Sequence, residues 1–519
     1  MKRAGRRAAA LGLALALAAC APQKKTVTVE VTDESLKAGE AAGLVRQGHY
    51  LAFKRAVRLY AGLHARPRLR PKIAGPYLEA CLLLDLREKE IGIDDPASAA
   101  AVERLIRENP MLAGYAPYMT LVSDVPTRAL GAMRDIDTSR WNKAAVDAVK
   151  AAADVVRKSA ATNEFAACVL ASWSCSLGSY SDRWRDPAEF LKTYPDSPLI
   201  KYEVAVCGGV RPDLLEEILA REPGFAEVDF HLGQAALAEG RLLDAENHLL
   251  KAYEAIPESP QTRILLAGIY FATGEFDQSL RFYDLTLEVA PEYRDALLGQ
   301  AICLSTLGRH EEAMAVLGRL LDLGYYLIGE AHYWLSWNLH ELKRDPEALA
   351  HIDEAKGRLP TNSEVFCLAG TIALDMGRLE RSERDFLESL KDNPDNTESL
   401  FGLGTVSGRK ERWAESAAYY EKAARAADAA GAAVAAKIEE VRASALPEER
   451  KARLVRGREA QAERLRLQSA TSSYDAAAAC LNAGLNAGLK DKAVAAASKA
   501  AAHPALKAKA EELLRSVKK

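Results

Sequence analysis

Residues 226–259 read AEVDFHLGQAALAEGRLLDAENHLLKAYEAIPES, and residues 260–293 read PQTRILLAGIYFATGEFDQSLRFYDLTLEVAPEY. The two segments align without a gap, and four further segments continue the pattern to residue 429. One position, here called the anchor, recurs at spacings of 34, 34, 35, 34 and 34 residues. The anchors are Gly240, Gly274, Gly308, Lys343, Gly377 and Glu411. A fixed period of this length indicates an architecture of stacked repeats.

Three more positions recur around each anchor. Five residues after it stands a small residue: Ala245, Ser279, Ala313, Ala348, Ser382, Ser416. Seven residues before it stands another: Gly233, Ala267, Ala301, Ser336, Gly370, Gly404. Nine residues after it stands a large apolar residue: Leu249, Tyr283, Leu317, Ile352, Phe386, Tyr420. We expect two short helices in each copy, joined at the anchor by a left-handed residue. The small residues let the helices approach, and the large one fills the gap against the next copy.

In period and in these positions, residues 226–429 resemble tetratricopeptide repeats. Leu232-Gly233 matches the usual Leu-Gly pair of the first helix, and most copies end in a proline, as at Pro257. The resemblance implies an all-α, right-handed solenoid of helix-turn-helix units whose first helices line a concave surface. Two copies depart from the pattern, the third at Gly324-Tyr325-Tyr326 and the sixth at Glu411 and Asp428. We expect irregular turns there.

The first 19 residues have the character of an export signal. Four basic residues precede a short apolar run, 8–19, which is too short to span a bilayer. The run ends in Leu17-Ala18-Ala19-Cys20, which resembles the lipobox of bacterial lipoproteins, where the cysteine is acylated and becomes the mature N-terminus. The alternative is an ordinary cleaved signal with a chance cysteine. Ala21 is not the aspartate that resembles an inner-membrane retention signal, so we expect an anchor in the outer membrane, facing the periplasm.

Loss of residues 1–19 removes four of the 69 basic residues and none of the 72 acidic ones, which takes the formal net charge from −3 to −7. Nucleic-acid binding requires a basic face, so this balance does not favour it.

Helical patterns flank the six copies. Residues 20–39 are predicted to be a lipidated N-terminus and tether, residues 40–225 divergent helical repeats, and residues 430–519 C-terminal capping helices. Within the last region, we expect one charged helix to end near Gln468 and Thr471-Ser472-Ser473 to cap a new one.

No catalytic, metal or cofactor pattern is found. The seven cysteines after Cys20 form no CxxC or zinc spacing, and they are best interpreted as small buried residues, with an odd number leaving at least one unpaired. The nine histidines are scattered, and there is no HExxH, GxSxG, Walker loop or GxGxxG. We therefore expect no metal, no cofactor and no enzyme.

The resemblance directs attention to the concave surface, which the first helices would line. Its candidate partner-binding residues are Phe230, Phe271, Ile302, Tyr333, Trp337, His340, Thr371 and Phe401. Aromatic side chains exposed in a groove indicate a binding surface. The alternative is that Tyr333 and Trp337 pack against a neighbouring helix. The lysines and asparagines with which some family members clamp a peptide carboxylate are absent from these places.

The leading hypothesis is a non-catalytic periplasmic lipoprotein that binds a protein or peptide in the groove, within an envelope-assembly, secretion or polysaccharide-export machine. It rests on analogy with other lipid-anchored repeat proteins. The second is a peptidoglycan- or glycan-binding factor, with Tyr333 and Trp337 stacking on sugar. The third is an enzyme with its site in residues 40–225.

Overall fold

A computed structural model describes residues 33–93, 95–125, 143–176, 188–207, 209–324, 327–444, 447–484 and 487–518. Across these ranges the chain forms helices and turns without any strand, so the predicted all-α repeat fold is confirmed. The export signal and Cys20 lie outside the described residues, and their assignment stays a prediction. No helix within the described part is both long and apolar enough to cross a membrane.

The region before the repeats is helical, as expected, but its helices vary in length. They are α1 (Asp33–Gln47), α2 (Tyr50–His64), α3 (Arg70–Glu90), α4 (Pro96–Glu108), the 3-10 helix η1 (Pro110–Tyr115), α5 (Ala116–Asp124), α6 (Lys143–Ala160), α7 (Glu164–Ser176), α8 (Ala188–Thr193), α9 (Pro198–Val206) and α10 (Pro212–Arg221). Their apolar core continues into the first copy through Val228, Leu232 and Ile256. Packing is therefore continuous across the start of the repeats at residue 226.

Each of the six copies is a pair of helices that meets at its anchor. The pairs are α11 (Ala226–Ala238) and α12 (Leu242–Ala255), α13 (Pro260–Ala272) and α14 (Phe276–Val289), α15 (Arg294–Thr306) and α16 (His310–Leu323), α17 (Ile328–Glu341) and α18 (Asp345–Arg358), α19 (Ser363–Asp375) and α20 (Leu379–Asp392), and α21 (Thr397–Arg409) and α22 (Trp413–Ala443). The chain then continues in α23 (Glu448–Asn482), α24 (Ala487–Ala500) and α25 (Lys507–Lys518).

All six anchors adopt the left-handed backbone conformation predicted for them. The four glycines have φ between 73° and 80°, and Lys343 and Glu411 have φ of 60°. The anchor turns of the fourth and sixth copies therefore match the others despite the loss of glycine. The turn after the third copy differs, since Gly324 and Leu327 on its two sides both have positive φ.

The small residues lie between paired helices, as the pattern predicts. All six at the position after the anchor are at most 1% exposed. Where this residue is serine, its hydroxyl donates to the carbonyl of the small residue seven before the anchor: Ser279 to Ala267 at 2.8 Å, Ser382 to Gly370 at 2.8 Å and Ser416 to Gly404 at 2.7 Å. These bonds hold the two helices of one copy in register.

The large residue nine after the anchor packs within its own copy as well as against the next. A Cβ added at Gly370 would lie 2.6 Å from the ring of Phe386, and one at Gly402 in the following copy would lie 2.3 Å from the same ring. One aromatic side chain thus occupies the space left by two glycines. A larger residue at either position would displace it.

Lys343→Gly should stabilise the protein by about 0.5–1 kcal/mol. The left-handed conformation costs an L-residue roughly 1–2 kcal/mol, and glycine avoids this cost. The greater conformational entropy that glycine loses on folding offsets only part of the gain. Denaturant unfolding measures the change. The control is Lys251→Gly, in the exposed interior of α12, which should lose about 1 kcal/mol. Equal destabilisation by both substitutions would contradict the account of the anchor.

The C-terminal helices are longer than the pattern predicts. Helix α22 is 31 residues long and continues past Asp428 without interruption, and α23 runs for 35 residues through Thr471-Ser472-Ser473. The prediction of a helix start there was wrong. Thr471 and Ser473 donate their hydroxyls to Leu467 and Ser469 carbonyls of the preceding turn, a pattern that is compatible with a helix interior.

Candidate functional site

The first helices of successive copies form the inner surface of the array. Helices α13, α15, α17 and α19 each contact the first helix of the next copy directly. This places them on the more tightly curved side. The side chains that point away from the second helices therefore face the concave surface on which a partner was expected to bind.

An aromatic cluster lies on this surface in the fourth copy. The ring of Trp334 meets Tyr333 edge-on at 5.4 Å and Trp337 edge-on at 5.8 Å, and His310 from the third copy lies 5.6 Å from Trp337. All four side chains are half-buried. Tyr333 and Trp337 also pack against the apolar core shared by the fourth and fifth copies. Each ring packs on one side and remains partly accessible, so the packing alternative applies in part, and partner binding stays a prediction.

Phe230 and His340 lie inside the helix packing and not on an open surface. Phe230 is 6% exposed and belongs to a core shared by the first three copies. His340 is 7% exposed, and its Nδ1 lies 2.7 Å from the Asp345 carboxylate. Asp345 is the first residue of α18, so this pair joins the two helices of the fourth copy.

The remaining candidates are half-buried in different surroundings. Phe271 meets Phe276 edge-on at 5.2 Å, and the Thr371 hydroxyl donates to the Cys367 carbonyl of its own helix at 3.0 Å. Ile302 is half-buried. Phe401 meets Tyr420 edge-on at 5.1 Å and packs against a core that includes α23 and α24. Ile302, Tyr333, Trp337 and Thr371 are thus the half-buried candidates on the first helices of the third, fourth and fifth copies.

Acidic side chains accompany the aromatic cluster, a feature that the sequence analysis missed. The position thirteen residues before the anchor is acidic in the last four copies, where it holds Asp295, Glu330, Glu364 and Glu398. Burial raises the pKa of Asp295 to about 6. Burial and then the negative charge of Glu398 raise the pKa of Glu364. Burial raises the pKa of Tyr333, with Glu364 and Glu398 adding to the effect. The Tyr333 phenol therefore lies within the field of two carboxylates.

The region before the repeats holds a buried charged network around Arg87. Its guanidinium bonds Glu90 and, at 2.9 Å, Glu203, and all three side chains are 1–2% exposed. It also lies 3.9 Å from the centre of the Tyr202 ring. Glu227, at the start of the first copy, accepts a hydrogen bond from the Tyr50 backbone amide at 2.6 Å, and burial raises its pKa to about 7.

Perturbed carboxylates of this kind also occur in active sites, so the network is where an enzyme hypothesis for residues 40–225 would be placed. The structure favours a structural role, because the groups bond one another and are closed off from solvent. Within the described ranges, no group of three or more His, Cys, Asp or Glu side chains could hold a metal ion. The network joins α2, α3 and α9 to the first copy.

Cys175 and Cys207 form a disulfide across 32 residues, which joins α7 to the end of α9. The spacing of the cysteines in the sequence offered no signal for this pairing, since the fold brings the two helices together. The other described cysteines, Cys81, Cys168, Cys303, Cys367 and Cys480, are buried thiols, as expected of small residues in helix packing.

Comparison with known families agrees with this geometry. Family models described as tetratricopeptide repeats match residues 236–292, 307–363 and 367–432. The chain contains tetratricopeptide repeats. The matched segments include all six anchors, which are Gly240, Gly274, Gly308, Lys343, Gly377 and Glu411.

Two curated relatives match the chain over a limited length. The human protein O-mannosyl-transferase TMTC1 is 24% identical over 162 residues, which is 30% of this chain and 18% of the relative. Tetratricopeptide repeat protein 8 of Caenorhabditis elegans is 25% identical over 208 residues, which is 36% of this chain and 40% of the relative. The chain therefore spans less than half the length of either relative.

Similar solved structures include tetratricopeptide repeat proteins. A tetratricopeptide repeat protein from Parabacteroides merdae is 15% identical, with a TM-score of 0.37, and the match covers 46% of this chain and 92% of that one. PilW, a type IV pilus biogenesis factor, is 14% identical with a TM-score of 0.36, covering 38% and 90%. YrrB, described as having an unusual peptide-binding site, is 21% identical with a TM-score of 0.29, covering 34% and 91%.

Proposed function

We propose that this protein is a non-catalytic scaffold of the cell envelope whose concave repeat surface binds a polypeptide partner. The observation that carries the proposal is the aromatic cluster around Tyr333 and Trp337, which stays half-accessible on the inner surface between the third and fifth copies. Half-buried aromatic side chains supply large contact areas at interfaces and often dominate their energetics.

The surroundings of the cluster suggest the chemistry of the partner. Ile302 and Thr371 extend the surface on either side, and Glu364 and Glu398 place negative charge beside Tyr333. A segment that combines an apolar face with lysine or arginine residues would complement this arrangement. Roles in envelope assembly, secretion or polysaccharide export are consistent with such a scaffold.

The envelope location rests on Cys20 at the end of the apolar run and, independently, on the disulfide between Cys175 and Cys207. Disulfides persist in exported and periplasmic proteins and are rare where thiols are kept reduced. We infer a lipid anchor at Cys20, with Ala21 favouring the outer membrane and the repeats facing the periplasm.

Cys20→Ser should move the protein from the membrane fraction to the soluble fraction, because each buried acyl methylene contributes about 0.8 kcal/mol to membrane binding. Fractionation followed by immunoblotting measures this. Cys81→Ser, which changes a buried thiol, is the matched control and should stay with the membrane. A Cys20→Ser protein that still sediments with membranes after a salt wash would contradict the anchor.

Capture from detergent-solubilised envelope tests the function itself. The purified protein should retain a polypeptide, and a Trp337→Ala protein should retain much less of it. Retention on isolated sacculi without a polypeptide would instead support the glycan-binding alternative, in which Tyr333 and Trp337 stack on sugar. The enzyme alternative would be supported by an enzymatic activity that is lost on substitution of Arg87 or Glu227 while the protein stays folded.

A further inference from the structure

The last two long helices form a hairpin that reaches back across the repeats. We call residues 429–443 of α22 and 448–468 of α23 the crossing hairpin. Its base is held by the sixth copy, where Ser469 donates its hydroxyl to the Asp428 carboxylate at 2.6 Å and Gln468 bonds Thr397 at 3.0 Å. At a rise of about 1.5 Å per residue, α23 alone is roughly 50 Å long. It can therefore span several copies.

The far end of the crossing hairpin contacts the first and second copies. Arg450 donates to the Asn247 side-chain oxygen at 2.9 Å. Gly457 lies against the anchor turn of the second copy, where a Cβ added to it would be 3.4 Å from the Thr273 carbonyl oxygen. A glycine within a helix is unfavourable and often marks such a close approach. The hairpin thus connects the two ends of the repeat array.

Arg453 is the centre of this contact. Its Nη1 lies 2.7 Å from both carboxylate oxygens of Glu246, its Nε bonds Glu275, and its guanidinium lies 5.0 Å from the centre of the Tyr270 ring. Glu246 is only 7% exposed, and the Thr273 hydroxyl donates to Glu275 at 2.8 Å. Tyr270 is itself stacked on Phe282 at 5.5 Å. The receiving side chains are therefore held in place by the repeats.

Glu246, Tyr270 and Glu275 together suit a guanidinium specifically. A planar group with donors on two edges can bond two carboxylates and stack on a ring at once, which a lysine ammonium cannot. The apolar side chains of the crossing hairpin pack largely within it, where Ile438, Val455 and Ala462 are buried together. The far end of the hairpin contacts the repeats through polar side chains, which another arginine could replace.

We propose that Glu246, Tyr270 and Glu275 form an arginine-recognition site that Arg453 of the same chain occupies. This inference rests on the proposed function. The polypeptide partner carries an arginine on an amphipathic helix and takes the place of the crossing hairpin. Residues 448–468 support this chemistry, since they hold seven basic and four acidic residues and lie across a surface that is lined by carboxylates.

Hydrogen exchange on the full chain tests whether Arg453 holds the hairpin. Arg453→Ala should speed exchange across 434–460 by about tenfold or more, and Arg453→Lys should restore little of the protection. Arg456→Ala, an exposed arginine one turn along the same helix, is the control and should exchange like the wild type. Unchanged exchange in the Arg453→Ala chain would overturn the proposal.

Recognition is tested with a labelled synthetic peptide of residues 448–468 as the probe. It should bind the full-length Arg453→Ala chain about tenfold more tightly than the wild type, and added Glu246→Gln and Glu275→Gln substitutions should remove the gain. If the peptide bound the wild type, the Arg453→Ala chain and the chain with the added glutamine substitutions equally, or bound none of them, the proposed site would be contradicted. Because the probe needs no envelope partner, failure to capture a polypeptide would count against the proposed function alone. A captured polypeptide that bound wild-type and Arg453→Ala chains equally would count against replacement of the hairpin.

Discussion

Arg87→Ala should lower the free energy of unfolding by about 3–5 kcal/mol, because it leaves the carboxylates of Glu90 and Glu203 buried without their cation. The guanidinium is 2% exposed and also donates from Nε to the Gly48 carbonyl at 3.3 Å, so its loss removes contacts to several elements at once. The effect should reach the first copy, since Glu227 bonds the backbone of α2. Chemical denaturation followed by circular dichroism measures the change.

Arg58→Ala is the matched control for this substitution. Arg58 lies exposed on α2, and its removal should change stability by less than about 0.5 kcal/mol. If the denaturation midpoint of the Arg87→Ala protein equals that of the wild type, the network does not hold the N-terminal helices to the repeats.

Ala313→Leu should destabilise the repeats by about 1–3 kcal/mol through overpacking. Ala313 is 0% exposed and lies in the core that includes Cys303 and Leu304 of the facing helix. Since each copy depends on its neighbours, the loss should spread to the second and fourth copies. Ala315→Leu, exposed on the same helix, should leave the melting temperature nearly unchanged. Equal effects of the two substitutions would contradict the assigned register.

The repeats were predictable because each position has a local physical cause. A left-handed anchor, a small residue at a helix crossing and an aromatic ring that fills the space of two glycines all leave a fixed spacing in the sequence. Lys343 and Glu411 show that the spacing is more informative than the residue type, since both adopt the conformation of the glycines they replace.

Long-range pairings escaped the sequence analysis. Arg453 meets Glu246 across 207 residues, and Arg87 meets Glu203 across 116, so no local pattern marks either contact. Thr471-Ser472-Ser473 was mistaken for a helix start because the same residue types suit a cap and, with hydroxyls bonded to the preceding turn, a helix interior. Burial of Phe230 and His340 likewise depended on contacts with other helices and not on their own helix.

The most direct test of the central claim is the affinity of the Trp337→Ala protein for the captured polypeptide, measured together with its melting temperature. The account predicts that affinity falls by about tenfold or more, roughly 1.4 kcal/mol, while the protein keeps its helical content and most of its stability. A marked fall in melting temperature that accounts for the binding loss would make Trp337 a packing residue. Intact affinity in a stable Trp337→Ala protein would contradict binding on the concave surface of the fourth copy.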